Sequence, residues 1–401
     1  MNQYDVLDAP QGIDAEEKRK TATSCVRRIT ADLNAKNWDF HDETVRLPIH
    51  YIHPYPAKFI GALPRELISL LHPGDDGYVL DPFCGCGTTL VEAALAGLPS
   101  IGIDLHPLAT LITKVKTTPL AHSIAPVAHG LVARARNKLG KYQVPEIPNV
   151  DHWFSKEIQQ ALAGLIEEIN SYPSADARDA LKIALSSIIV RVSRQESDTR
   201  YAAIDKDTNA EATFDLFMRA SQRVDLALMG AYGSLFTKEA KTRVITKDIL
   251  KVDAADIPEK ISLIVTSPPY PNAYEYWLYH KYRMYWLGMD PIAVRSREIG
   301  ARPHYHTTKN PQTAEDFARQ MGQCFNLFYR ILGSSGFVCL IVGRSIIHGK
   351  TIDNSALINE VAKKEGFVAI AQVARAIPKY KKAFNPKTSQ INSEDLLIFS
   401  K

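Results

Sequence analysis

The sequence predicts an α/β protein with a mostly parallel, Rossmann-like sheet, an antiparallel terminal strand and a helical insertion. Three observations carry this prediction. Short apolar runs that end in an acidic residue recur in the first and last thirds of the chain. The first two of these runs are joined by a glycine-rich turn and a stretch of helix formers, which is the pattern of a β-α-β unit. The middle third instead repeats apolar residues at helical spacing.

Composition limits the class of protein. The chain has 401 residues, of which 45% are apolar, so it can form one large domain with an insertion or two domains. Its 48 basic and 44 acidic residues give a net charge of +4, which neither requires nor excludes a nucleic-acid partner. No apolar stretch reaches the roughly 18 residues of a membrane span. The polar start is unlike a signal peptide, and an odd number of cysteines does not suggest a disulfide scaffold. We therefore expect a cytoplasmic protein with no membrane partner.

The elements follow in order along the chain. Residues 1–45 are polar and predict an N-terminal arm with a surface helix. Residues 46–120 contain a strand at 78–81, a glycine turn, a helix over 88–96 and a strand at 100–104 that again ends in an acid, which predicts the cofactor-binding half.

The second half of the chain completes the domain division. Residues 121–238 carry three amphipathic helical patterns and predict a helical insertion, a candidate for target recognition. Residues 239–401 form the predicted catalytic half. Its predicted strands lie at 243–248, 261–266, 336–342, 367–373 and 396–399, with helices at 314–332 and 354–365. The order of the last two strands suggests an antiparallel pair.

The segment DPFCGCGT at 81–88 is the first candidate site. Glycines let a backbone pass close to a ligand, and the helix start that follows offers free N–H groups to a carboxylate or a phosphate. The segment lacks the Lys-Ser/Thr ending of a P-loop and the spacing of the dinucleotide fingerprint. Asp104 and Asp248 end strands at the same expected edge, where a carboxylate can accept hydrogen bonds from ribose or adenine. The alternatives are a purely structural turn and helix-capping acids.

The segment SPPY at 267–270 is the second candidate site. Two prolines directly after an apolar strand are rigid, lack N–H donors and force an extended path, so the segment can aim carbonyl oxygens and a polar side chain at one point. The adjacent Tyr270 offers a flat face for stacking. The alternatives are a strand terminator and a proline-rich ligand of another protein. The aromatic run that follows at 274–286 is predicted to be a core-facing helix and not a platform for bases.

Together these two segments resemble the amino-methylating DNA methyltransferases. HPYPAKF at 53–59 resembles the additional cofactor-binding motif of that family. The resemblance implies a class I methyltransferase fold, S-adenosylmethionine as cofactor and double-stranded DNA as partner. It covers 53–107 and 242–400, with the cofactor half before the catalytic half, and it covers the insertion poorly.

The resemblance also implies roles for individual residues. The catalytic residues would be Ser267, Pro268, Pro269 and Tyr270. The Ser267 hydroxyl and the Pro268 carbonyl would bind the protons of the target amine, and Tyr270 would stack on the flipped base. Asp104 would take the cofactor's ribose and Asp248 its adenine. The residues placed at the methionine end of the cofactor are Pro56, Ala57, Lys58, Phe59, Phe83, Gly85 and Gly87. Asp81 and Thr88 are further implied cofactor-binding residues.

Several function classes remain open. A serine in the first position of SPPY resembles the cytosine-N4 enzymes more than the adenine-N6 enzymes, so cytosine N4 is our expectation and adenine N6 the alternative. Two competing hypotheses are an RNA methyltransferase acting on guanine N2 and a non-catalytic DNA-binding subunit. A cytosine-C5 enzyme is disfavoured because no cysteine follows a proline. We expect no metal site, since CGC at 84–86 has no second cysteine pair nearby. The expected role is modification of self DNA beside a restriction endonuclease.

Two basic loops are the candidate DNA contacts. One follows the catalytic segment, and the other lies between the last two strands. Basic side chains in such loops can neutralise phosphates, although an ordinary solvated loop has the same composition. The candidate residues are Arg295, Arg297, Arg302, Arg375, Lys379, Lys381, Lys382 and Lys387.

Overall fold

A computed structural model describes residues 27–40, 47–58, 60–72, 74, 77–198, 200–234, 236, 240–272, 275–377 and 393–401. The strands in this part of the chain are β1 (Tyr78–Asp81), β2 (Ser100–Asp104), β3 (Gln195–Ser197), β4 (Arg200–Ala203), β5 (Thr242–Thr246), β6 (Ile261–Thr266), β7 (Leu332–Gly343), β8 (Ser345–Ile347), β9 (Lys350–Ile352), β10 (Val368–Ala376) and β11 (Ser393–Ser400).

The central sheet has seven strands in the order β10-β11-β7-β6-β1-β2-β5. The five strands from β7 to β5 are mutually parallel, and β11 is antiparallel to both β7 and β10. The chain runs from β1 outward to β2 and β5, then crosses to β6 and continues outward to β7. In an open parallel sheet a ligand crevice forms where the strand order reverses, here between β1 and β6. The predicted α/β fold, with its mostly parallel sheet and antiparallel terminal strand, is confirmed.

Helices cover the sheet and form the middle of the chain. A first helix, α1, spans residues 27–35. The others are α2 (Ala62–Leu71), α3 (Thr88–Leu95), α4 (Pro107–Lys116), α5 (Ala125–Asn137), α6 (Val150–Trp153), α7 (Lys156–Asn170), α8 (Ala175–Val192), α9 (Ala210–Ser234), α10 (Tyr276–Tyr279), α11 (Lys281–Trp286), α12 (Pro291–Arg295), α13 (Arg302–Tyr305), α14 (Ala314–Ile331) and α15 (Asn354–Lys364). None of these described helices is both long and apolar enough to cross a bilayer.

Local sequence signals explain where several helices begin and end. The Thr313 hydroxyl accepts the N–H of Asp316, whose side chain in turn accepts the N–H of Thr313, forming a capping box that starts α14. Pro107 occupies the first turn of α4, where its missing N–H has no cost. Gly97 follows α3 in the left-handed region, with φ +75°, and lets the chain turn toward β2.

The sheet is buried on both faces because its strands alternate apolar side chains between two cores. Leu80 and Ile264 belong to a core on one face with Phe325 of α14, while Val79 and Leu263 belong to a core on the other. A third core joins α5, α7, α8 and α9 with residues of α3 and α4 and with short helices that follow the SPPY segment. The helices of residues 121–238 pack on the sheet through α4, because α8 contacts α4 and α4 contacts β2 and β5.

Two local predictions differ from the structure. The middle of the chain also contains the hairpin of β3 and β4, which the sequence analysis did not predict because its strands are short and polar. The aromatic run at 274–286, predicted as one core-facing helix, contains α10 and α11 with His280 between them. Trp277, Tyr282 and Trp286 are buried as expected. The division of the chain into four segments remains our proposal.

Candidate active site

A cleft lies at the carboxyl ends of the parallel strands and encloses about 870 Å³ including its mouth. Both sequence motifs border it, although they are about 180 residues apart. The residues predicted from the sequence to bind cofactor or substrate that line it are Ala57, Lys58, Phe83, Gly85, Thr88, Asp104, Asp248, Ser267 and Pro269. The fold therefore brings the glycine turn and the SPPY segment to one cavity.

The glycine turn has a backbone shape that only glycine adopts at low cost. Gly85 and Gly87 both lie in the left-handed region, with φ +49° and +79°. A Cβ on Gly85 would approach the Tyr55 ring to 3.3 Å, and one on Gly87 would lie 2.8 Å from Thr113. The Thr113 hydroxyl donates a 2.9 Å hydrogen bond to the Gly85 carbonyl. Thr113 and Tyr55 thus both pack closely against the turn.

Asp104 fixes the same turn from the end of β2. Its two carboxylate oxygens accept the backbone N–H groups of Gly85 and His106, each at 2.8 Å. Burial raises the pKa of Asp104 to about 6, against the opposing effect of these two hydrogen bonds. Asp248, the second predicted nucleoside contact, follows β5 and accepts the N–H of Leu250 at 3.1 Å. Both carboxyl groups line the cleft.

Asp81 lies beneath the cleft and does not line it. The Thr266 hydroxyl donates to Asp81 Oδ1 at 2.6 Å, and the Phe83 N–H donates to the same oxygen at 3.1 Å. Burial raises the pKa of Asp81 to about 6. Asp81 Oδ2 has no hydrogen-bond partner among the described residues, and the direct cofactor contact of Asp81 stays a prediction. Its side chain ties the end of β1 to the end of β6, so it positions the two motifs relative to each other.

The SPPY segment presents only part of its predicted catalytic surface to the cleft. Ser267 and Pro269 line the cavity, whereas Pro268 is buried outside it. The Tyr270 hydroxyl donates a 3.1 Å hydrogen bond to the Ile341 carbonyl on β7, so this ring also lies outside the lining. Behind it, a Cβ on Gly300 would come within 2.6 Å of the Tyr270 carbonyl oxygen. The segment is thus closely backed by neighbouring backbone.

The HPYPAKF segment contributes three residues to the cleft lining, namely Tyr55, Ala57 and Lys58. Lys58 donates to the His50 carbonyl at 2.7 Å and lies 4.1 Å above the Tyr51 ring. Burial lowers the pKa of Lys58 to about 8. Lys116 of α4 is fully buried and donates to the Cys86 carbonyl at 2.7 Å, placing a second cation behind the glycine turn. Of the other predicted residues, Pro56 and Gly87 do not line the cleft, and Phe59 lies outside the described residues.

Several lining residues were missed in the sequence analysis. Tyr55 belongs to the HPYPAKF segment and His106 follows Asp104 by two residues, so proximity to the predicted motifs was a usable signal. Tyr276 stacks on Tyr55 with ring centroids 5.7 Å apart at 28°, although the aromatic run had been assigned to the core. Glu298 had no sequence signal. The further lining residues not predicted are Pro82, Cys84, Cys86, Leu105, Ile249, Val294 and Ile299.

The basic residues predicted to contact DNA have different surroundings. Arg297 lines the cleft, and its Nε donates to the Ala293 carbonyl at 3.0 Å. Arg295 lies 5.0 Å from the Trp277 ring, and Arg302 is exposed on α13. The remaining candidates between β10 and β11 lie outside the described residues, namely Lys379, Lys381, Lys382 and Lys387.

Arg375 is a correction to the predicted DNA contacts. Its guanidinium is buried, pairs with Glu394 at 2.7 Å and donates to the Trp38 carbonyl at 3.0 Å. A buried, paired guanidinium joins β10, β11 and the N-terminal segment and is not available to a phosphate. The basic composition of this loop did not reveal the contact with Trp38, because Trp38 lies 337 residues away in sequence.

The strand order and the cleft above β1 and β6 define a class I methyltransferase fold. A family model described as DNA methylase matches residues 11–114, which include the HPYPAKF and DPFCGCGT segments. The Type II methyltransferase M.MvaI of Kocuria varians is 28% identical over 244 residues, 56% of this chain and 53% of that protein. M.BsoBI of Geobacillus stearothermophilus is 22% identical over 275 residues, 62% of this chain and 54% of that one.

These matches confirm the resemblance of the chain to the amino-methylating DNA methyltransferase family, and with it S-adenosylmethionine as the family's cofactor. The chain spans about half the length of these curated relatives. Among solved structures, the rRNA methyltransferase aviRa from Streptomyces viridochromogenes is 11% identical with a TM-score of 0.34, covering 90% of this chain and 96% of that one. At that TM-score the likeness carries no weight, and the fold rests on the strand order itself.

Proposed function

We propose that this protein transfers a methyl group from S-adenosylmethionine to an exocyclic amino group of DNA, most specifically cytosine N4. One observation carries the proposal: Gly85 and Ser267 border the same cleft. The first belongs to a turn suited to a nucleoside cofactor, and the second to a rigid segment suited to hold an amine. A methyl donor and a methyl acceptor must meet within one cavity for direct transfer.

Different lining residues suit the different parts of the cofactor, from the adenine to the methionine carboxylate. Asp248 and Ile249 offer a carboxylate and an apolar surface to adenine, and Asp104 offers acceptors to the ribose. Lys58 and the N–H groups at the start of α3 offer positive charge to the methionine carboxylate. When bound, S-adenosylmethionine supplies an electrophilic methyl group. The chain itself binds and orients the two reactants.

Ser267 is the residue that we propose to orient the amine. The lone pair of an aromatic amine is delocalised into the ring, so the amine is a poor nucleophile. A hydrogen bond from the amine to the Ser267 hydroxyl favours a more tetrahedral nitrogen. No covalent enzyme intermediate is required, in agreement with the burial of Cys84 and Cys86, which line the cleft beside the turn.

The DNA partner and the biological role belong to the same proposal. A target base has to leave the duplex to reach a cleft, because its amino group is engaged in pairing. Arg295, Arg297 and Arg302 follow the catalytic segment and are the described candidates for phosphate contact. The helices of residues 121–238 are the candidate target-recognition part. The curated relatives are Type II methyltransferases, which supports a role in self-modification beside a restriction endonuclease.

The test is transfer of labelled methyl groups to duplex DNA and to bulk tRNA, followed by mass spectrometry of the nucleosides. We expect N4-methyldeoxycytidine from DNA and no label in tRNA. N6-methyldeoxyadenosine would replace the base assignment, and methylguanosine in tRNA would replace the substrate class. DNA binding without transfer in excess cofactor would indicate a non-catalytic subunit.

A serine variant separates the two halves of the proposal. Ser267→Ala should abolish transfer while binding of S-adenosylhomocysteine, measured by calorimetry, survives. Ser296→Ala is the matched control, because Ser296 is an exposed serine whose hydroxyl donates to the Ala293 carbonyl within its own helical turn. If Ser267→Ala also loses the cofactor, its proposed role in holding the amine is wrong.

A further inference from the structure

Glu298 is a buried carboxyl group in the wall of the cleft to which no motif assigns a role. It follows α12, and 8% of the residue is exposed. Its Oε1 accepts the Tyr276 N–H at 2.8 Å, and its Oε2 accepts the Trp277 N–H at 3.3 Å. Each oxygen keeps a further lone pair, because a carboxyl group can take part in about four hydrogen bonds. Two backbone N–H groups therefore hold the carboxyl group in place, and it can still form further hydrogen bonds.

Asp104 lines the same cleft and acts electrostatically on Glu298. Burial, together with a smaller contribution from the charge of Asp104, raises the pKa of Glu298 to about 8. Two buried carboxyl groups that face one space favour one ionised and one protonated member near neutral pH. Such a pair presents both a hydrogen-bond acceptor and a donor to a ligand.

His106 gives an independent sign that a polar ligand occupies this part of the cleft. The residue is 3% exposed and lines the cavity. Its ring nitrogens form no hydrogen bond of good geometry among the described residues, and the Tyr276 backbone is close enough to oppose the lowering of the His106 pKa by burial. Buried polar groups nearly always have such partners in native proteins, and each exception needs an explanation. A bound hydroxyl group would provide the missing partner.

We propose that Glu298 is a further cofactor-binding residue, which with Asp104 and His106 holds the ribose hydroxyls of the nucleoside. The inference rests on the proposed function and adds a residue to its cofactor site. A vicinal diol carries two donors and several acceptor lone pairs, which match an ionised Asp104, a protonated Glu298 and a neutral imidazole. Glu298 lies in the segment after α12, which belongs to neither sequence motif.

The same carboxyl group connects the cofactor site to the catalytic loop. Glu298 fixes the backbone of Tyr276, whose ring stacks on Tyr55 beside the glycine turn. Two residues further on, the Gly300 carbonyl accepts the Asn272 N–H at 2.8 Å, just beyond the SPPY segment. Glu298 is therefore linked to the segment that follows SPPY, directly at Tyr276 and through Gly300 at Asn272.

The test is calorimetric binding of S-adenosylhomocysteine and its 2′-deoxy and 3′-deoxy ribose analogues to the full chain. The wild-type protein should prefer the intact ribose by about tenfold or more, the value of one hydrogen bond to a charged or buried group. Glu298→Met keeps the length of the side chain but has no hydrogen-bond donor, so it should reduce that preference for at least one analogue, whereas Glu298→Gln, which like a protonated carboxyl group has both a donor and an acceptor, should retain it. Glu360→Gln, at an exposed position of α15 outside the cleft lining, should keep the wild-type preference.

The outcomes separate the two proposals. If Glu298→Met weakens the parent ligand and both analogues equally, the role of Glu298 is purely structural and the inference is overturned. An unchanged affinity and preference in Glu298→Met overturns it as well. If the wild-type protein does not bind S-adenosylhomocysteine, the proposed function fails and the inference fails with it.

Discussion

Replacing Gly87 by alanine tests the structural basis of the cofactor turn. Gly87 has φ +79°, and its Cβ would lie 2.8 Å from both Oγ1 and Cγ2 of Thr113 and 3.1 Å from its Cα. Such contacts are too short to persist, so Thr113 has to move. The Thr113 hydroxyl is the donor to the Gly85 carbonyl. The substitution therefore disturbs the turn as well as its own position.

The expected cost has two parts. A left-handed conformation costs a non-glycine residue about 1–2 kcal/mol. Insertion of a methyl group into a packed site costs about 1–3 kcal/mol more. Gly87→Ala should therefore lower the free energy of unfolding by about 2–5 kcal/mol. Gly140 isolates the first part, since it has φ +87° and no atom within 4 Å of its Cβ position.

Urea unfolding of both variants measures the two parts, and calorimetry with S-adenosylhomocysteine measures the functional consequence. Gly140→Ala should lose about 1–2 kcal/mol and keep full ligand affinity. Gly87→Ala should lose more stability and bind at least about tenfold more weakly, the effect of losing one hydrogen bond in the turn. Adding Thr113→Ser removes the Cγ2 contact and should restore part of both losses. Equal stability losses in Gly87→Ala and Gly140→Ala would refute the steric account.

Three further predictions follow from the site. Tyr270→Phe removes the hydroxyl that donates to a β7 carbonyl, so unfolding should become easier by about 1–3 kcal/mol, as urea titration will show; no change would mean that the hydrogen bond is absent in solution. Affinity for S-adenosylhomocysteine should fall as the pH decreases below about 6, because protonation of Asp104 (pKa about 6) removes the ribose acceptor. Calorimetry of Asp104→Asn should show weaker binding without this pH dependence. The same pH profile in both proteins would assign the pH dependence to another group. Arg375→Gln breaks the buried pair with Glu394 and should destabilise the fold by about 3–5 kcal/mol. The salt dependence of DNA binding should stay unchanged in this variant and should decrease in Arg302→Gln. A reduced salt dependence for Arg375→Gln would show that Arg375 contacts DNA.

The elements of the sheet could be predicted because their signals are local. The strands β1, β2 and β6 are short apolar runs closed by a turn, an acid or a polar residue, and their predicted bounds agree with the structure. The hairpin of β3 and β4 has no such pattern. Its residues are polar and partly exposed, so the pairing depends on neighbouring helices that the sequence does not position.

The site could be predicted only where a residue belongs to a motif. Asp104 and Ser267 follow strands directly, so the parallel topology alone brings them to one edge. Asp81 has the same kind of position, yet its side chain turns to Thr266, a partner that depends on the register between β1 and β6. The positions of Glu298 and Arg375 depend on long-range packing. Composition gave no signal for Glu298 and a misleading one for Arg375.

The central claim is that one cleft brings a bound methyl donor next to Ser267. A crystal structure of the protein with S-adenosylhomocysteine tests this most directly. We predict that the adenosine lies between Asp104 and Asp248 and that the sulfur atom lies in the cleft between Gly85 and Ser267. A ligand bound elsewhere, or one whose sulfur is turned away from Ser267, would contradict the account.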